Sequence, residues 1–129
     1  ELLAHMQKQH LDYTNTFVKL SDSLTDTELQ NELKEVLGDW YTRWLQMLEN
    51  KNQNTKAAQT LMQKNNPLVI PRNHHVEAIL AEYETYGQST VIDDFLDVLR
   101  SPYQQLKQTS QFQDEPKDGD HQYRTFCGT

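Results

Sequence analysis

The sequence predicts an all-α fold, a small helical bundle with an extended proline-containing connector and an irregular C-terminal tail. Apolar residues recur at spacings of three and four over most of the first hundred residues, which is the period of an α-helix. Strand-like alternation at period two is convincing nowhere. From Gln104 onward the chain is rich in Gln, Asp, Lys, Ser and Gly, a composition that stays disordered unless something holds it. We predict a helical region over residues 1–103 and a polar tail over residues 104–129.

Two amphipathic segments open the chain. The first places one stripe of side chains at helical spacing: Leu3, Met6, His10, Tyr13, Phe17, Leu20 and Leu24. The second continues the same period through Leu29, Leu33, Val36, Leu37, Trp40, Tyr41, Trp44, Leu45 and Leu48. Thr25 followed by Glu28 forms a capping-box pattern before it. We predict an antiparallel helical hairpin, with Trp40 and Trp44 in the core rather than stacked on a base or a sugar.

A short helix and a proline-bounded connector are predicted next. The stretch TKAAQTLMQK predicts the helix, and NPLVIPRN follows it. Pro67 and Pro71 each fix their own φ and push the preceding residue out of the α region. The connector is therefore predicted to be extended and structured.

Two further helices are predicted after the connector. Asn73 is suited to cap the first, and Gly87 is suited to end it. Thr90 with Asp93 is expected to start the second, which Pro102 ends. The apolar side chains of these helices recur at helical spacing: Val76, Ile79, Leu80, Tyr83, Ile92, Phe95, Leu96 and Leu99.

Charge and cysteine content restrict the partners and the compartment. The formal net charge of −7 argues against binding to nucleic acid or to an anionic membrane, since both would repel the chain. No apolar run reaches membrane-spanning length. The chain has one cysteine, Cys127, which is typical of a reducing compartment, so we expect a cytoplasmic protein. Because the chain begins Glu-Leu-Leu without Met, we expect it to be the interior of a longer protein.

The histidines predict no metal site by their spacing. His74 and His75 are adjacent, and helix neighbours project about 100° apart, so we expect them not to chelate one ion from the same face. His5 and His10 lie five residues apart, whereas a paired zinc site on a helix uses four. The sequence therefore predicts that this chain alone binds no metal.

Motifs for nucleotide binding and for nucleophilic catalysis are missing from the sequence. It contains no Gly-rich loop after a strand and no serine nucleophile elbow, and four glycines leave little for a phosphate cradle. Asp93, Asp94 and Asp97 cluster at a predicted helix start, where the helix dipole favours carboxylates and solvent covers them. We predict no catalytic residue and no cofactor in this chain.

Two residues remain with open interpretations. Arg72 leaves a stiff backbone between a proline and a predicted cap, where it is suited to bidentate contact with a carboxylate or a phosphate. The alternative, which we favour, is a buried Arg that pairs with a carboxylate and locks the connector to the helices. Cys127 lies third from the end of the sequence, and it is either incidental or accessible to react.

Three stretches taken together resemble the SelO (YdiU) family. NNPLVIPRNHHVEAIL resembles a family segment of Asn-Pro, apolar residues, Pro-Arg-Asn-His and an amphipathic helix. FLDVLRSPY resembles the block that follows it in the family. YRTFCGT resembles the terminus of many bacterial members, with Cys127 at the position that is selenocysteine in some eukaryotic ones. The resemblance assigns Arg72 and Asn73 as motif residues of unknown role and Cys127 as a redox-associated, regulatory residue.

The resemblance implies a function for the parent protein. SelO proteins have a kinase-like (pseudokinase) fold and transfer AMP from ATP to hydroxyl side chains of other proteins, with ATP and Mg²⁺ as cofactors. Their catalytic and ATP-binding residues belong to the upstream region, so this chain is expected to be a structural and regulatory C-terminal portion in a bacterial cytoplasm. Its implied partners are that upstream region and the protein substrates. Cys127 has no neighbouring cysteine, so a disulfide partner must lie elsewhere.

The alternative to this family function is a self-contained helical interaction module whose aromatic stripe docks a partner helix.

Overall fold

The structure is a computed structural model that describes residues 1–51 and 54–117. These residues contain seven α-helices, one 3₁₀ helix and no strand, so the all-α prediction is confirmed. In chain order the elements are α1 (Leu2–Lys8), α2 (Tyr13–Asp22), α3 (Thr27–Leu37), α4 (Asp39–Asn50), α5 (Thr55–Asn65), α6 (Asn73–Tyr86), α7 (Ile92–Arg100) and the 3₁₀ helix (Thr109–Phe112). None of the helices in these ranges has the length and apolarity needed to cross a bilayer. The chain divides into two compact units, Glu1–Pro67 and Leu68–Thr129, called here the first and second unit.

The first predicted helix is interrupted and forms α1 and α2. Between them His10 adopts a positive φ of 53°, which no helix can contain. Asp12 follows in an extended conformation, and its Oδ1 accepts a hydrogen bond of 2.8 Å from the Asn15 amide. This is an N-cap, so α2 begins anew at Tyr13. The predicted apolar stripe is only partly buried, because Met6 and Leu20 are covered whereas Leu3 and Tyr13 are each 62% exposed.

The second predicted helix is also two helices, α3 and α4. Gly38 separates them with φ of 57° and ψ of −139°, a backbone conformation open to glycine alone among common residues. The predicted start is wrong by one residue. Asp26, rather than Thr25, is the N-cap of α3, because its Oδ1 accepts from the Leu29 amide at 3.1 Å.

The first unit closes its core around a buried tyrosine. Leu20, Leu33 and Leu37 are buried with Tyr41, whose side chain is fully covered. The Tyr41 hydroxyl donates to Ser23 Oγ at 2.8 Å, and Ser23 Oγ donates to the Leu20 carbonyl at 2.8 Å. Burial raises the pKa of Tyr41, and the hydrogen bond with Ser23 offsets part of that rise. The phenol therefore enters the core with its polar atom satisfied.

Trp40 and Trp44 lie at the edge of this core instead of inside it. Both are partly buried, and their rings stack with centroids 6.0 Å apart and planes 12° apart. They line a surface depression of about 310 Å³ together with Met47, Arg43 and Glu1. Arg43 forms an ion pair with Glu1 there. The two predicted core tryptophans are thus partly buried and pack against the core from its edge.

The second unit closes its core with helices and non-helical segments together. Its buried apolar residues are Val69, Ile79, Phe95, Val98 and Phe112. Leu68, at the start of the unit, donates its amide to the Pro102 carbonyl at 2.7 Å and accepts from Gln113 Nε2 at 3.1 Å. The connector is non-helical, as predicted, and these bonds fix it against the segments that follow α7.

Part of the polar C-terminal segment is held by the same core. Phe112 is 3% exposed, and its ring centroid lies 5.0 Å from that of Phe95. Thr109 is fully buried, and its Oγ1 accepts from the Leu106 amide at 2.8 Å. These contacts, with those of Gln113 and Asp114, hold this part of the predicted tail against the second unit.

A carboxylate connects the end of α6 to the start of α7. Gly87 ends α6 with a left-handed φ of 70°, as predicted. Glu82 Oε2 accepts from Ser89 Oγ at 2.6 Å and from the Thr90 amide at 3.1 Å, and Oε1 accepts from Thr90 Oγ1 at 2.9 Å. The hydrogen bonds from Ser89 and Thr90 lower the pKa of Glu82. Because these groups build the turn, α7 begins at Ile92, and Thr90 does not serve as its cap.

Candidate functional site at the start of α6

Arg72 occupies the N-cap position of α6 and is buried. The residue is 6% exposed, and its backbone is extended, with φ of −74° and ψ of 136°. The Arg72 carbonyl accepts from the amides of His75 and Val76, both at 3.1 Å. Burial agrees with the structural interpretation of Arg72 over the ligand-binding one. Its pairing with a carboxylate stays a prediction.

Asn73 is the first residue of α6 and does not cap it. The prediction was wrong by one position, because the carbonyl that opens the helix belongs to Arg72. Asn73 is exposed, on the same turn as two histidines. Of the two motif residues, Arg72 is therefore buried, whereas Asn73 belongs to the polar first turn of α6.

His74 and His75 point to one carboxylate, that of Asp114. His74 Nε2 lies 3.3 Å from Asp114 Oδ2, and His75 Nε2 lies 2.6 Å from Oδ1. The expectation that adjacent histidines diverge is therefore wrong. Side chains on a helix tilt toward its N-terminus, and in the first turn no earlier turn stands between them, so two long side chains can meet beyond the helix start. The two rings are in contact, with centroids 4.1 Å apart.

The core of the second unit fixes this arrangement. His75 packs edge-on against Phe112, with centroids 5.4 Å apart and planes 80° apart, and its ring lies 6.4 Å from that of Phe95. Phe112 is buried two residues before Asp114, so its burial positions the carboxylate. Sequence reasoning missed Asp114 because it lies 39 residues from His75 in a segment without periodicity. The one available signal was a lone phenylalanine in a polar stretch.

The electrostatics of the site favour an ionised Asp114. Burial raises the pKa of this carboxyl, but the hydrogen bonds and charges of His75 and His74 together lower it, and the net pKa is below the ordinary value. The dipole of α6 also favours negative charge beside its first turn. The Asp114 side chain is 61% exposed, against 17% and 16% for the two histidines. The arrangement thus presents two shielded imidazoles and one carboxylate that solvent reaches.

Cys127, the predicted redox residue, lies outside the described residues.

The acidic cluster of α7, formed by Asp93, Asp94 and Asp97, does not converge on a common point in the way the histidines do. Asp97 lies 3.7 Å from Arg100, and Asp94 accepts from Gln108 Nε2 at 3.4 Å. These contacts agree with an exposed helix start.

The family is shown by comparison with known proteins. The sequence model of the family described as protein adenylyltransferase SelO matches residues 1–100. The chain is 40% identical over 129 residues to the protein nucleotidyltransferase YdiU of Teredinibacter turnerae, and 39% identical over 129 residues to that of Anoxybacillus flavithermus. Both alignments cover 100% of this chain, and they cover 27% and 26% of the relatives. The chain therefore belongs to the SelO family.

The match has two further features. The chain spans about a quarter of the length of the curated relatives it matches. The family match includes the helices of the first unit, although the sequence motifs that carried the resemblance begin only at the connector. No solved structure matches the chain.

Proposed function

We propose that this chain is the C-terminal helical portion of a SelO-type protein adenylyltransferase, in a bacterial cytoplasm, and that it supports and regulates the enzyme without catalysing the reaction. The observation that carries the proposal is the alignment of the whole chain with about a quarter of each nucleotidyltransferase relative. In the proposed reaction the hydroxyl oxygen of a protein Ser, Thr or Tyr attacks the α-phosphorus of ATP. A bond from oxygen to phosphorus forms, the bond to pyrophosphate breaks, and the hydroxyl proton passes to a base.

We infer that ATP and Mg²⁺ bind to the upstream region, because the described residues offer no cradle for a triphosphate. Gly38 and Gly87, the glycines within residues 1–51 and 54–117, each stand at a helix end and form no loop around a phosphate. The 310 Å³ depression is lined by tryptophan and methionine, and Arg43 there is already paired with Glu1. A triphosphate needs several donors aimed at it, and this surface does not supply them.

The test separates the two parts of the protein. AMP transfer is measured for the full-length protein, for a protein that ends before Glu1, and for the 129-residue chain alone, with ATP binding followed by calorimetry. We expect the full-length protein to transfer AMP, the truncated protein to lose activity, and the isolated chain to be folded, helical and silent. Micromolar ATP binding by the isolated chain would overturn the assignment of the cofactors. Full activity without the chain would overturn its supporting role.

The surface of α4 favours the upstream region as the partner, with the self-contained interaction module as the second candidate. Trp40 and Trp44 leave the depression partly open, and Met47 beside them is 46% exposed. We infer that the upstream region covers this partly open apolar surface, because the relatives are about four times as long as this chain. Calorimetry between the upstream region and this chain tests this. Met47→Glu should weaken binding, and Leu61→Glu, at a 62% exposed position outside the depression, should not. No binding by the upstream region would favour the interaction module.

The proposal includes Cys127 as a regulatory thiol that acts on the kinase-like part from outside its active site. A disulfide from Cys127 to the upstream region would restrict opening of the active-site cleft. AMP transfer by the full-length protein is compared under oxidising and reducing conditions, with and without Cys127→Ser. We expect oxidation to change the activity of the wild-type protein alone. Equal activity in all four cases would rule out the redox switch and leave the family assignment unaffected.

A further inference from the structure

Three metal-ligating side chains from distant parts of the second unit meet at the start of α6. One ligand atom each from His74, His75 and Asp114 can be chosen so that all three lie within 4.8 Å of one another. We propose that these residues form a binding site for a divalent transition-metal ion of the zinc type. The proposal stands on the geometry of this chain and does not depend on the adenylyl-transfer proposal.

The three side chains need only small movements to bind a single ion: each histidine faces a different oxygen of Asp114, and separations of up to 4.8 Å among the three ligand atoms must close. Zinc lies about 2.0–2.2 Å from imidazole nitrogen and carboxylate oxygen, which places neighbouring tetrahedral ligands about 3.4 Å apart. His74 Nε2 and Asp114 Oδ2 are already 3.3 Å apart. The separation of 2.6 Å between His75 Nε2 and Asp114 Oδ1 must open by roughly 0.8 Å to admit the ion. Rotation of the exposed Asp114 side chain supplies such a movement without a shift of the backbone.

The donor set selects the kind of ion. Two imidazoles and one carboxylate suit zinc and the neighbouring transition metals, whereas Mg²⁺ prefers oxygen ligands. Three protein ligands leave the fourth tetrahedral position to water or to another group. The site is therefore chemically distinct from the Mg²⁺ that accompanies ATP.

The surroundings give the site the rigidity that a metal centre needs. Phe112 and Phe95 pack against the His75 ring and restrict its rotation. Burial of Phe112 holds the segment that carries Asp114, while the Asp114 side chain remains 61% exposed and open to an entering ion. A preorganised pair of imidazoles and an exposed carboxylate can thus bind an ion from solvent.

The bound ion would cross-link two parts of the chain that are distant in sequence. His74 and His75 belong to α6, whereas Asp114 follows the 3₁₀ helix by two residues. An ion between them would tie the segment after Phe112 to the helix. The site would then fasten the C-terminal segment to the second unit whenever zinc is present.

The test measures zinc binding to the full-length protein. The protein carries Cys127→Ser so that the thiol does not bind the metal, is stripped with a chelator, and is titrated with Zn²⁺ against a chromophoric indicator in excess Mg²⁺. We expect one tight site per chain. Asp114→Asn and His75→Gln should each weaken it by about tenfold or more, since even partners behind the ligands change metal affinity by 10–100-fold. Asp97→Asn and His10→Asn are the matched controls and should bind zinc as the parent does.

The outcomes decide the proposal in both directions. Loss of zinc in the two ligand variants, with the controls unchanged, supports the site, and Co²⁺ in place of zinc should then give visible absorption bands that the ligand variants lack. Equal binding by the parent and the ligand variants would place the zinc elsewhere and overturn the proposal. Absence of a tight site in the parent would also overturn it. Asp114→Asn is at an exposed position, so its fold is expected to persist and its result can be interpreted.

Discussion

The two units of the chain complete their cores in different ways. The first unit buries leucines from α2 and α3 around Tyr41 of α4, so its core comes from helical faces. In the second unit Val69 from the connector and Phe112 from the 3₁₀ helix complete what α6 and α7 begin. Helical periodicity therefore predicts the core residues fully only where helices alone form the core.

The units also differ in where they place polar groups. The first unit buries a short neutral chain of hydrogen bonds from Tyr41 through Ser23 to Leu20. The second unit brings His74, His75 and a carboxylate together near its surface, which is where candidate chemistry lies. A neutral buried chain stabilises a core, whereas convergent ionisable groups at a surface can exchange protons or ligands.

The largest loss of stability is expected in the second unit when the residues after Tyr103 that complete its core are removed. A chain that ends after Tyr103 loses Phe112 and the bonds of Thr109, and deleting a buried phenylalanine costs about 3–5 kcal/mol. We expect the free energy of unfolding of the second unit to fall by at least that amount. Hydrogen exchange in α6 and α7 measures it, and a chain that ends after Lys117 is the control. Unchanged protection after the shorter truncation would show that residues 1–103 close the core alone.

The next largest loss of stability is expected in the first unit when its buried tyrosine is substituted. Tyr41→Ala should lower the free energy of unfolding by about 3–5 kcal/mol, because the side chain is fully covered. Tyr41→Phe keeps the ring and loses only the bond to Ser23, for which we expect about 1 kcal/mol. Urea unfolding followed by tryptophan fluorescence reports this unit, since both tryptophans belong to it. A cost for Tyr41→Phe as large as that for Tyr41→Ala would contradict the packing account.

A smaller loss of stability is expected from substitutions at the edge of the first unit's core. Trp40→Ala or Trp44→Ala should cost about 1–2 kcal/mol, since burying a whole large side chain contributes about 1.5–3 kcal/mol and these rings are only partly covered. Met47→Ala should change stability by less than about 0.5 kcal/mol because it is exposed. Urea unfolding followed by circular dichroism measures all three. A tryptophan that costs as much as Tyr41 would belong to the core after all.

The smallest effect concerns the turn that Glu82 organises, and it depends on pH. Hydrogen bonds lower the pKa of Glu82 in the folded protein, so its contribution is present above the ordinary pKa of 4.5 and is lost as pH falls through the lowered value. Glu82→Gln should therefore lower the melting temperature at neutral pH and have little effect once wild-type Glu82 is protonated. Glu84→Gln, exposed on the same helix, is the control. A difference in melting temperature between the wild-type protein and the Glu82→Gln variant that does not change with pH would show that charge is not involved.

Local sequence patterns predict some helix ends of this chain correctly and others wrongly. Gly87 was assigned correctly because a left-handed residue ends a helix by its own backbone. Gly38 also has a positive φ, but its ψ of −139° differs from that of Gly87, and the apolar period continues through it, so the break between α3 and α4 is not predicted. The predicted N-caps Thr25 and Asn73 are each wrong by one position, because the Asp26 side chain accepts from the Leu29 amide and the Arg72 carbonyl opens α6.

The all-α class, the extended connector, the helix end at Gly87 and the family could be predicted from the sequence, because each depends on residues that are neighbours in the chain. The burial of Phe112 in a core and the meeting of Asp114 with His74 and His75 depend on the tertiary structure. Burial of Phe112 removes its ring from water and thereby positions Asp114, which lies 39 residues from His75 in the chain. No local period or spacing encodes that encounter, because its driving force is the apolar surface that the whole unit buries.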